Sequence, residues 1–301
     1  MVEMERELHV AFTMDCERIA SESPPGGPES WELSERAVRG YCNTLLEEGF
    51  PPTLFIVPEC AQRHRELFLE FASRGVELGL HLHPQSFADH RYGKYLGEYG
   101  RGDQAELISG AMSAFTRALG IKPRSFRSGN FSASDETFEV LSSLDFRQGS
   151  VSDPGRDAPG FAAVWRGAVP DPHWTSRESR LEVGDLPFLE IPVTTVPGRL
   201  QPNGFPWELR IESGNLEEWH RPILEVYLSR VIRDNGRIPC LCIFTHNYFD
   251  YSDPCCEQSK TLVNLVHCIR ELPIRQVLPT TLGELRKTLL RRARKKLTAP
   301  G

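Results

Sequence analysis

Val76 to Pro84 reads V-E-L-G-L-H-L-H-P, an apolar run that leads into two histidines and stops at a proline. Because side chains alternate between the faces of a strand, His81 and His83 share one face while Leu82 points into packing. Two imidazoles at the end of a buried strand are suited to binding a divalent metal. On its own, this spacing is more typical of two histidines that are hydrogen-bonded or solvated than of a metal site. A metal site becomes the better interpretation only with an acidic residue at the end of another strand.

Strand-like apolar runs and helical segments alternate on both sides of this stretch. The predicted strands cover residues 7–14, 53–57, 76–84, 124–127, 146–151, 186–195, 237–245 and 275–278. The predicted helices cover residues 34–48, 61–73, 103–119, 134–144, 216–233, 256–272 and 281–296. Ser34 and Asp103 are the expected N-caps of the first and third helices. About seven such alternations are typical of parallel βα units and predict an α/β fold, a distorted (β/α)7 barrel, as a single domain over residues 1–301.

The size and composition agree with one soluble barrel. The chain has 301 residues, of which 40% are hydrophobic and 25% charged, as in ordinary globular proteins. It contains no apolar run long enough for a transmembrane helix. The acidic N-terminal residues lead directly into a strand rather than resembling a signal peptide, so we expect a cytoplasmic location. Eight cysteines are therefore expected to be reduced, and with no C-x-x-C pair a cysteine-based zinc site is not expected.

The charge is unevenly distributed along the chain. Arg286 to Lys296 carries seven basic residues and no acid, whereas the whole chain has a net charge of -6. The remainder therefore carries about -13 (-6 minus 7), which argues against nucleic-acid binding by the body. Residues 286–301 form a basic C-terminal tail that either contacts a membrane surface or acidic partner, or is the solvated end of a terminal helix.

Residues 153–185 interrupt the alternation with many Pro, Gly and Arg residues and with Trp165, His173 and Trp174. A long loop within a compact α/β protein is usually a functional cover or an insertion. We expect either a lid in which His173 and Trp174 close over the substrate, or aromatic residues packed as the core of the loop.

Polar side chains collect at the predicted carboxyl ends of the strands, where parallel barrels place their sites. These residues are Asp15, Glu17, His81, His83, Arg127, Asp153 and His246. Asp15-Cys16-Glu17 repeats the spacing of the histidine pair, with two carboxylates on one side and Cys16 turned away. One carboxylate can bind a metal while its neighbour acts as a general base, and the alternative is that both face solvent.

Four segments together resemble motifs of the polysaccharide deacetylase family, the NodB-homology proteins of carbohydrate esterase family 4. They are Thr13-Met14-Asp15-Cys16-Glu17, Gly79-Leu80-His81-Leu82-His83-Pro84, Phe126-Arg127-Ser128-Gly129-Asn130 and Phe244-Thr245-His246. The resemblance extends from about Leu8 to about Leu285 and is closest to the cytoplasmic branch associated with surface-polysaccharide synthesis, which has an H-x-H second motif. Cys16 replaces the second Asp of the first motif, and Gly129 and Asn130 replace the Pro and Tyr of the third.

The resemblance implies a metal-dependent hydrolase that removes an N-acyl group, such as acetyl, from a sugar or sugar conjugate. It implies that Glu17, His81 and His83 bind a divalent metal, with Zn2+ as the expected ion. If Cys16 faced the site instead of Glu17, a thiolate ligand would be implied.

The same resemblance assigns the other polar residues. Asp15 would be the general base, with Arg127 orienting it, and His246 would protonate the leaving amine, with Asp153 as its orienting partner. A backbone N–H near Asn130 would help to stabilise the oxyanion.

Two alternatives remain open. One is another C–N hydrolase on the same scaffold, a deformylase or a cyclic-amide hydrolase. The other is a non-catalytic sugar-binding protein on a decayed deacetylase fold. The expected partner is a small-molecule or glycan-conjugate substrate, which for a deacetylase would be a cytoplasmic precursor such as an acylated nucleotide- or lipid-linked sugar or a small glycoside.

Overall fold

A curled, mostly parallel sheet forms the centre of the computed structural model, which describes residues 4–22, 26–86, 92–233 and 238–298. The main strands are β1 (Met4–Cys16), β2 (Thr53–Ile56), β3 (Glu77–Leu82), β4 (Ser125–Ser128), β5 (Gln148–Gly149), β8 (His173–Trp174), β9 (Leu189–Glu190), β12 (Cys240–His246) and β13 (Ile274–Pro279). Two small antiparallel pairs lie outside this sheet, β6 (Asp157–Ala158) with β7 (Ala163–Val164), and β10 (Thr195–Leu200) with β11 (Pro206–Glu208). Arg237 and residues 299–301, which belong to a predicted strand and to the predicted tail, lie outside the described residues.

The order of the strands is β12-β1-β2-β3-β4-β5-β9-β8, with β13 also paired to β1. Each neighbouring pair is parallel except β8 with β9, which is antiparallel. The carboxyl ends of the parallel strands therefore meet at one edge. The register aligns Asp15 with His246 and His81 with Arg127 across neighbouring strands.

Helices cover the outside of this sheet. They are α1 (Trp31–Glu47), α2 (Pro58–Arg63), α3 (Arg65–Ser73), α4 (Arg101–Leu119), α5 (Thr137–Ser143), α6 (Arg221–Arg233), α7 (Glu257–Arg270) and α8 (Leu282–Thr298). In α1, Val38, Tyr41 and Leu45 are buried at helical spacing, and the Tyr41 hydroxyl donates to the carbonyl oxygen of Thr13 in β1. Burial of such apolar faces against the strands supplies the main driving force for this arrangement.

The sheet curls until its two ends approach one another. After β9, the backbone N–H of Ile191 donates to Gly149 in β5, and that of Thr194 donates to Cys242 in β12. The first hydrogen bond joins this segment to β5, near one end of the strand order, and the second joins it to β12 at the other end. The barrel therefore closes through single hydrogen bonds and not through a regular ladder. The predicted distorted (β/α)7 barrel in a single domain is confirmed.

Local differences from the predicted helices have identifiable causes. The first helix begins at Trp31 instead of Ser34, because the Ser30 hydroxyl caps it by accepting from Leu33 N–H. The third begins at Arg101 rather than at Asp103. The predicted helix over 61–73 is two helices, since His64 leaves helical geometry (φ -109°, ψ 33°). The His64 ring packs edge-on against Trp31 at 5.5 Å between centroids.

The predicted strand over 186–195 is also broken. Only Leu189 and Glu190 pair within the main sheet, and β10 begins at Thr195 on a separate hairpin. Pro187 and Pro192 flank the paired residues and have no N–H to donate to a ladder. The irregular stretch is what allows the chain to cross from β5 to β12.

The basic C-terminal segment is largely helical. Within α8, Lys287 and Arg291 form ion pairs with Glu284, and Arg292 pairs with Glu7 near the start of β1. Such exposed pairs contribute little to stability. No helix in the described ranges is both long and apolar enough to cross a bilayer.

Candidate metal centre and active site

The carboxyl ends of β1, β3, β4 and β12 surround one cavity of about 370 Å³. Five of the residues singled out at the ends of predicted strands lie in its wall, and Arg127 lies behind it, bonded to Asp15. The wall is formed by Asp15, Glu17, Gly26, His81, His83, Ser128, Asn130, Phe131, Arg156, Phe205, Arg210, Glu212, His246 and Tyr248.

Glu17, His81 and His83 point their side chains at a common position. Oε1 of Glu17 lies 3.0 Å from Nε2 of His81 and 2.8 Å from Nε2 of His83, and the two nitrogens are 3.1 Å apart. Among the described residues this group forms a cluster of potential metal ligands within 4.8 Å of one another. Glu17 directly follows β1, and His81 lies in β3. Only β2 separates these two strands in the sheet, so the fold brings together two residues that are 64 positions apart in sequence.

The chemistry of these atoms fits a bound cation. Nδ1 of His81 lies 3.0 Å from the carbonyl oxygen of Arg127, which can only accept, so this nitrogen carries the ring proton. In the neutral ring Nε2 then carries a lone pair and is an acceptor. It faces Oε1 of Glu17, which is also an acceptor. Two facing acceptors need a positive charge between them, which either a proton on Nε2 or a bound metal ion supplies. A ring whose far N–H donates to a backbone carbonyl is the usual arrangement of a metal-binding histidine, and one carboxylate with two imidazoles suits zinc.

Electrostatics favour a positive charge at this position. Burial acts to raise the pKa of Glu17, but His83 and His81 outweigh it and hold that pKa well below the ordinary range. Burial acts in the opposite direction on His81, yet the charges of Asp15 and Glu17 prevail and raise its pKa. The group therefore concentrates negative charge around the two imidazole nitrogens.

Cys16 takes no part in this group. Its thiol is fully buried on the other face of the chain, near Cys42 and Cys60, and burial raises its pKa well above the ordinary value. Glu17 is instead fixed through its backbone, since its N–H donates to Oδ1 of Asn247 and its carbonyl accepts from Nδ2 of the same side chain. Asn247 was not singled out from the sequence, although it directly follows His246.

Asp15 is held by Arg127. One guanidinium nitrogen donates to Oδ1 at 2.7 Å, while Oδ2 remains 4.0 Å from Nε2 of both His81 and His246. Burial acts to raise the pKa of Asp15, but Arg127, His81 and His246 together lower it. Asp15 is therefore ionised at neutral pH and has one oxygen available as a base.

Arg127 is itself rigidly placed. It is fully buried, and its other nitrogens donate to the carbonyl of Ser150 and the hydroxyl of Thr13, both at 3.0 Å. Its guanidinium carbon lies 4.4 Å from the centre of the Phe55 ring. Each of its three nitrogens has a fixed partner, so the group orients Asp15 instead of sampling solvent.

His246 is oriented by Glu212, not by Asp153. Nδ1 of His246 lies 2.5 Å from Oε1 of Glu212, whose Oε2 accepts from Thr245 at 2.7 Å. Asp153 instead contacts Arg156 at 3.3 Å and lies near Glu208, and burial together with the charge of Glu208 raises the pKa of Asp153. The expected pairing of Asp153 with His246 is therefore wrong, because the insertion turns Asp153 towards its own Arg156.

Glu212 reaches the site from a segment with no helical or strand pattern. It lies in a short 3-10 turn, Ile211–Ser213, which follows a bridge between Arg210 and Phe244 of β12. That bridge places Glu212 level with His246 two residues further on. Burial acts to raise the pKa of Glu212, but His246 and Arg210 outweigh it and lower it, so the side chain is an anion beside the ring.

Asn130 also lines the cavity, with its backbone in the left-handed region (φ 55°, ψ 18°), and Phe131 after it has a φ of 55°. Two consecutive non-glycine residues in this region store backbone strain, which is concentrated at functional sites in proteins.

The insertion over 153–185 contributes to the wall in an unexpected way. His173 and Trp174 form β8 at the far edge of the sheet and do not line the cavity. Of the two expectations for these residues, packing within the loop is therefore correct and a lid over the substrate is not. Trp165 is fully buried. Arg156 is the cavity residue from this segment, and Phe205 of the β10–β11 hairpin covers it.

One protein family model matches part of the chain. The family model for polysaccharide deacetylase matches residues 27–149. Among curated protein sequences none matches the chain.

Three solved structures share the fold. A protein assigned as a polysaccharide deacetylase from Mycobacterium smegmatis has a TM-score of 0.61 at 17% identity, covering 100% of this chain and 96% of its own. Another so assigned, from Pseudomonas aeruginosa PAO1, has a TM-score of 0.61 at 16% identity, covering 94% and 91%. The allantoinase PuuE has a TM-score of 0.60 at 16% identity, covering 93% and 89%. Residues 27–149 thus match the polysaccharide deacetylase family, and the chain as a whole has the fold of proteins assigned to it.

Proposed function

We propose that this protein is a metal-dependent amide hydrolase that removes an N-acyl group, acetyl in the first instance, from a sugar or sugar conjugate. The family match supports the carbohydrate deacetylase class. The observation that carries the proposal is the arrangement around Glu17, His81 and His83. Asp15 and His246 flank this group in one cavity, and each is held by its own buried partner.

The three ligands would hold the metal, with zinc as the expected ion. A divalent cation at such a position supplies Lewis-acid polarisation of the acyl oxygen and acidifies water. The protein itself supplies the base. Asp15 accepts the proton of the attacking water at Oδ2, since Arg127 occupies Oδ1, and the water oxygen forms a bond to the acyl carbon.

The leaving group requires a proton in the second half of the reaction. His246 donates it from Nε2 to the amide nitrogen as the C–N bond breaks, while Glu212 holds Nδ1 and stabilises the ring. The products are a carboxylic acid and the free amino sugar. Asp15 and His246 lie in register on adjacent strands, with 4.0 Å between Oδ2 and Nε2, so one substrate amide reaches both.

A second candidate is opening of a cyclic amide by the same groups. The fold is as similar to the allantoinase PuuE as to the proteins assigned as deacetylases. In this case the acid and amine products remain joined in one molecule. Zinc as the ion, a cytoplasmic location and contact of the basic tail with a membrane surface remain predictions from the sequence.

The deciding experiment is an acetate-release assay on small N-acetyl sugars, their nucleotide and lipid conjugates, and allantoin, with metal content measured on the same sample. We expect equal amounts of acetate and free amine, loss of both after chelation, and recovery when Zn2+ is added back. Opening of allantoin without acetate release supports the second candidate. Sugar binding with full metal content and no turnover contradicts both and supports a non-catalytic binding protein.

A further inference from the structure

We propose that Arg156 and Arg210 form an oxyanion-binding subsite in the cavity wall, so that the substrate carries a phosphate or carboxylate besides its acylamino group. This inference rests on the proposed function, because it concerns the substrate of the same cavity. It narrows the substrate from acylamino sugars in general to the anionic members of that class.

Arg210 is placed close to the reacting groups. Its backbone bridges to Phe244 of β12, two residues before His246, and its guanidinium carbon lies 4.6 Å from the centre of the Phe244 ring. Nε is 2.9 Å from Glu208, and the side chain is 23% exposed. The buried Nε has no hydrogen-bond partner in the described part of the chain.

Arg156 is more deeply buried than Arg210, and its Nε likewise has no hydrogen-bond partner among the described residues. Its side chain is 2% exposed and lies flat on the Phe205 ring, with 3.8 Å from the guanidinium carbon to the ring centre. Its one hydrogen bond among the described residues goes to Asp153 at 3.3 Å, and its buried Nε has none. A buried guanidinium with unused donors is costly unless a ligand satisfies it.

Neighbouring carboxylates leave a buried donor of each guanidinium group unused. Burial and the charge of Glu208 raise the pKa of Asp153 well above its ordinary value, which weakens this carboxyl as a counter-ion for Arg156. Both carboxylate oxygens of Glu212 are already hydrogen-bonded, one to His246 and the other to Thr245. Asp153 lies beside Arg156 and Glu208 beside Arg210, yet Nε of each arginine has no hydrogen-bond partner among the described residues.

The chemistry of the subsite selects an oxyanion. Guanidinium groups bind carboxylates and phosphates through charge-assisted and bidentate hydrogen bonds, and a neutral hydroxyl gains much less. Because the arginines and the candidate metal ligands line the same cavity of about 370 Å³, the anion and the acyl group belong to one molecule. A sugar phosphate and a sugar acid are the two sources of this shared chemistry.

The test compares three ligands that differ in charge: the neutral methyl glycoside of N-acetylglucosamine, N-acetylglucosamine 1-phosphate and N-acetylmuramic acid. We expect kcat/KM to be about tenfold or more higher for at least one anionic sugar than for the neutral one. Arg210→Gln should remove this preference. The control is Arg166→Gln, which alters an exposed arginine of the 153–185 insertion that pairs with Asp157, and it should retain the preference.

Arg156 is tested by Arg156→Lys, because lysine keeps the charge in the buried position but loses the planar donors; thermal unfolding checks that each variant is folded. A ratio near one in the unaltered protein, or a preference that survives in Arg210→Gln, overturns the subsite. If no sugar is hydrolysed, the proposed function fails separately, and calorimetric binding of the same three ligands decides. Tighter binding of an anionic sugar that Arg210→Gln abolishes supports the subsite, whereas equal binding or no binding overturns it.

Discussion

Arg127 donates a 2.7 Å hydrogen bond to Asp15, and both side chains are buried at the carboxyl ends of strands that are not neighbours in the sheet. The pair links β4 to β1 across β2 and β3. Its position below the candidate metal ligands makes the same contact relevant to both stability and catalysis, and the two contributions can be separated by substitution.

Arg127→Leu should destabilise the metal-free protein by about 3–5 kcal/mol, because it leaves the buried carboxylate of Asp15 without its partner. The double variant Asp15→Asn/Arg127→Leu should be less destabilised than Arg127→Leu alone, since no uncompensated charge remains. Urea unfolding of the three proteins measures this difference. Equal stability of the single and double variants would show that the charge of Asp15 is not what Arg127 compensates.

Asp15→Asn should lower hydrolysis by about 10²- to 10⁴-fold, the usual contribution of a general base, while the bound metal remains. Asparagine preserves the shape of the side chain and an oxygen for Arg127, but it cannot take a proton from water. Turnover and metal content are measured on one preparation, with Asp135→Asn, at an exposed position, as the control. Full activity in Asp15→Asn would remove this residue as the base.

His81→Ala should lose the metal, because it removes one of three ligands and the one whose tautomer is fixed by the carbonyl of Arg127. Elemental analysis after gel filtration provides the measurement. His267→Ala changes a histidine that is 56% exposed and should retain the metal. Stoichiometric metal in His81→Ala is the outcome that contradicts the ligand assignment.

Glu212→Gln should reduce kcat by about 10²-fold or more with a smaller change in KM, since the residue acts on substrate only through the orientation of His246. The amide still fits the space but no longer provides an anion beside the ring. Glu217→Gln, at a 68% exposed position on the following turn, is the matched control. An unchanged kcat in Glu212→Gln would mean that His246 needs no such partner.

His9 makes stability depend on pH. Burial, followed by the charge of Arg292, lowers its pKa from 6.5 to about 4 in the folded protein. Between these values the unfolded chain binds a proton that the folded chain does not, so stability is complete above pH 6.5 and falls as the pH decreases towards 4. The largest effect is about 3 kcal/mol.

The measurement for this residue is the midpoint of thermal unfolding across that window. His9→Leu should flatten the pH dependence, whereas His267→Leu at an exposed site should leave it in place. A slope that persists in His9→Leu would assign the effect to other groups.

The fold was predictable because its main strands and helices carry strong local patterns. β1 and β12 are long apolar runs that end in polar residues, and their type does not depend on tertiary contacts. By contrast, His64 is sequence-compatible with a continuous helix, and the break coincides with the packing of its ring against Trp31, a contact that local sequence does not reveal.

The candidate site was predictable only where it follows a strand. Asp15, Glu17 and His81 lie at such ends, and the structure brings them together. Glu212, Arg156 and Arg210 come from irregular segments whose positions depend on contacts between distant parts of the chain. No local spacing distinguishes Glu212 from Asp153 as the partner of His246, since that choice depends on the bridge from Arg210 to β12.

The register that pairs Asp15 with His246 has a consequence for the order in which the protein is synthesised. All three candidate metal ligands lie within the first 83 residues, whereas the proton donor emerges from the ribosome more than 160 residues later. If the proposed roles hold, a nascent chain contains its metal ligands early but lacks the residue that protonates the leaving amine. On the proposed mechanism, hydrolysis would begin only when β12 docks beside β1, so a partly synthesised chain would be inactive.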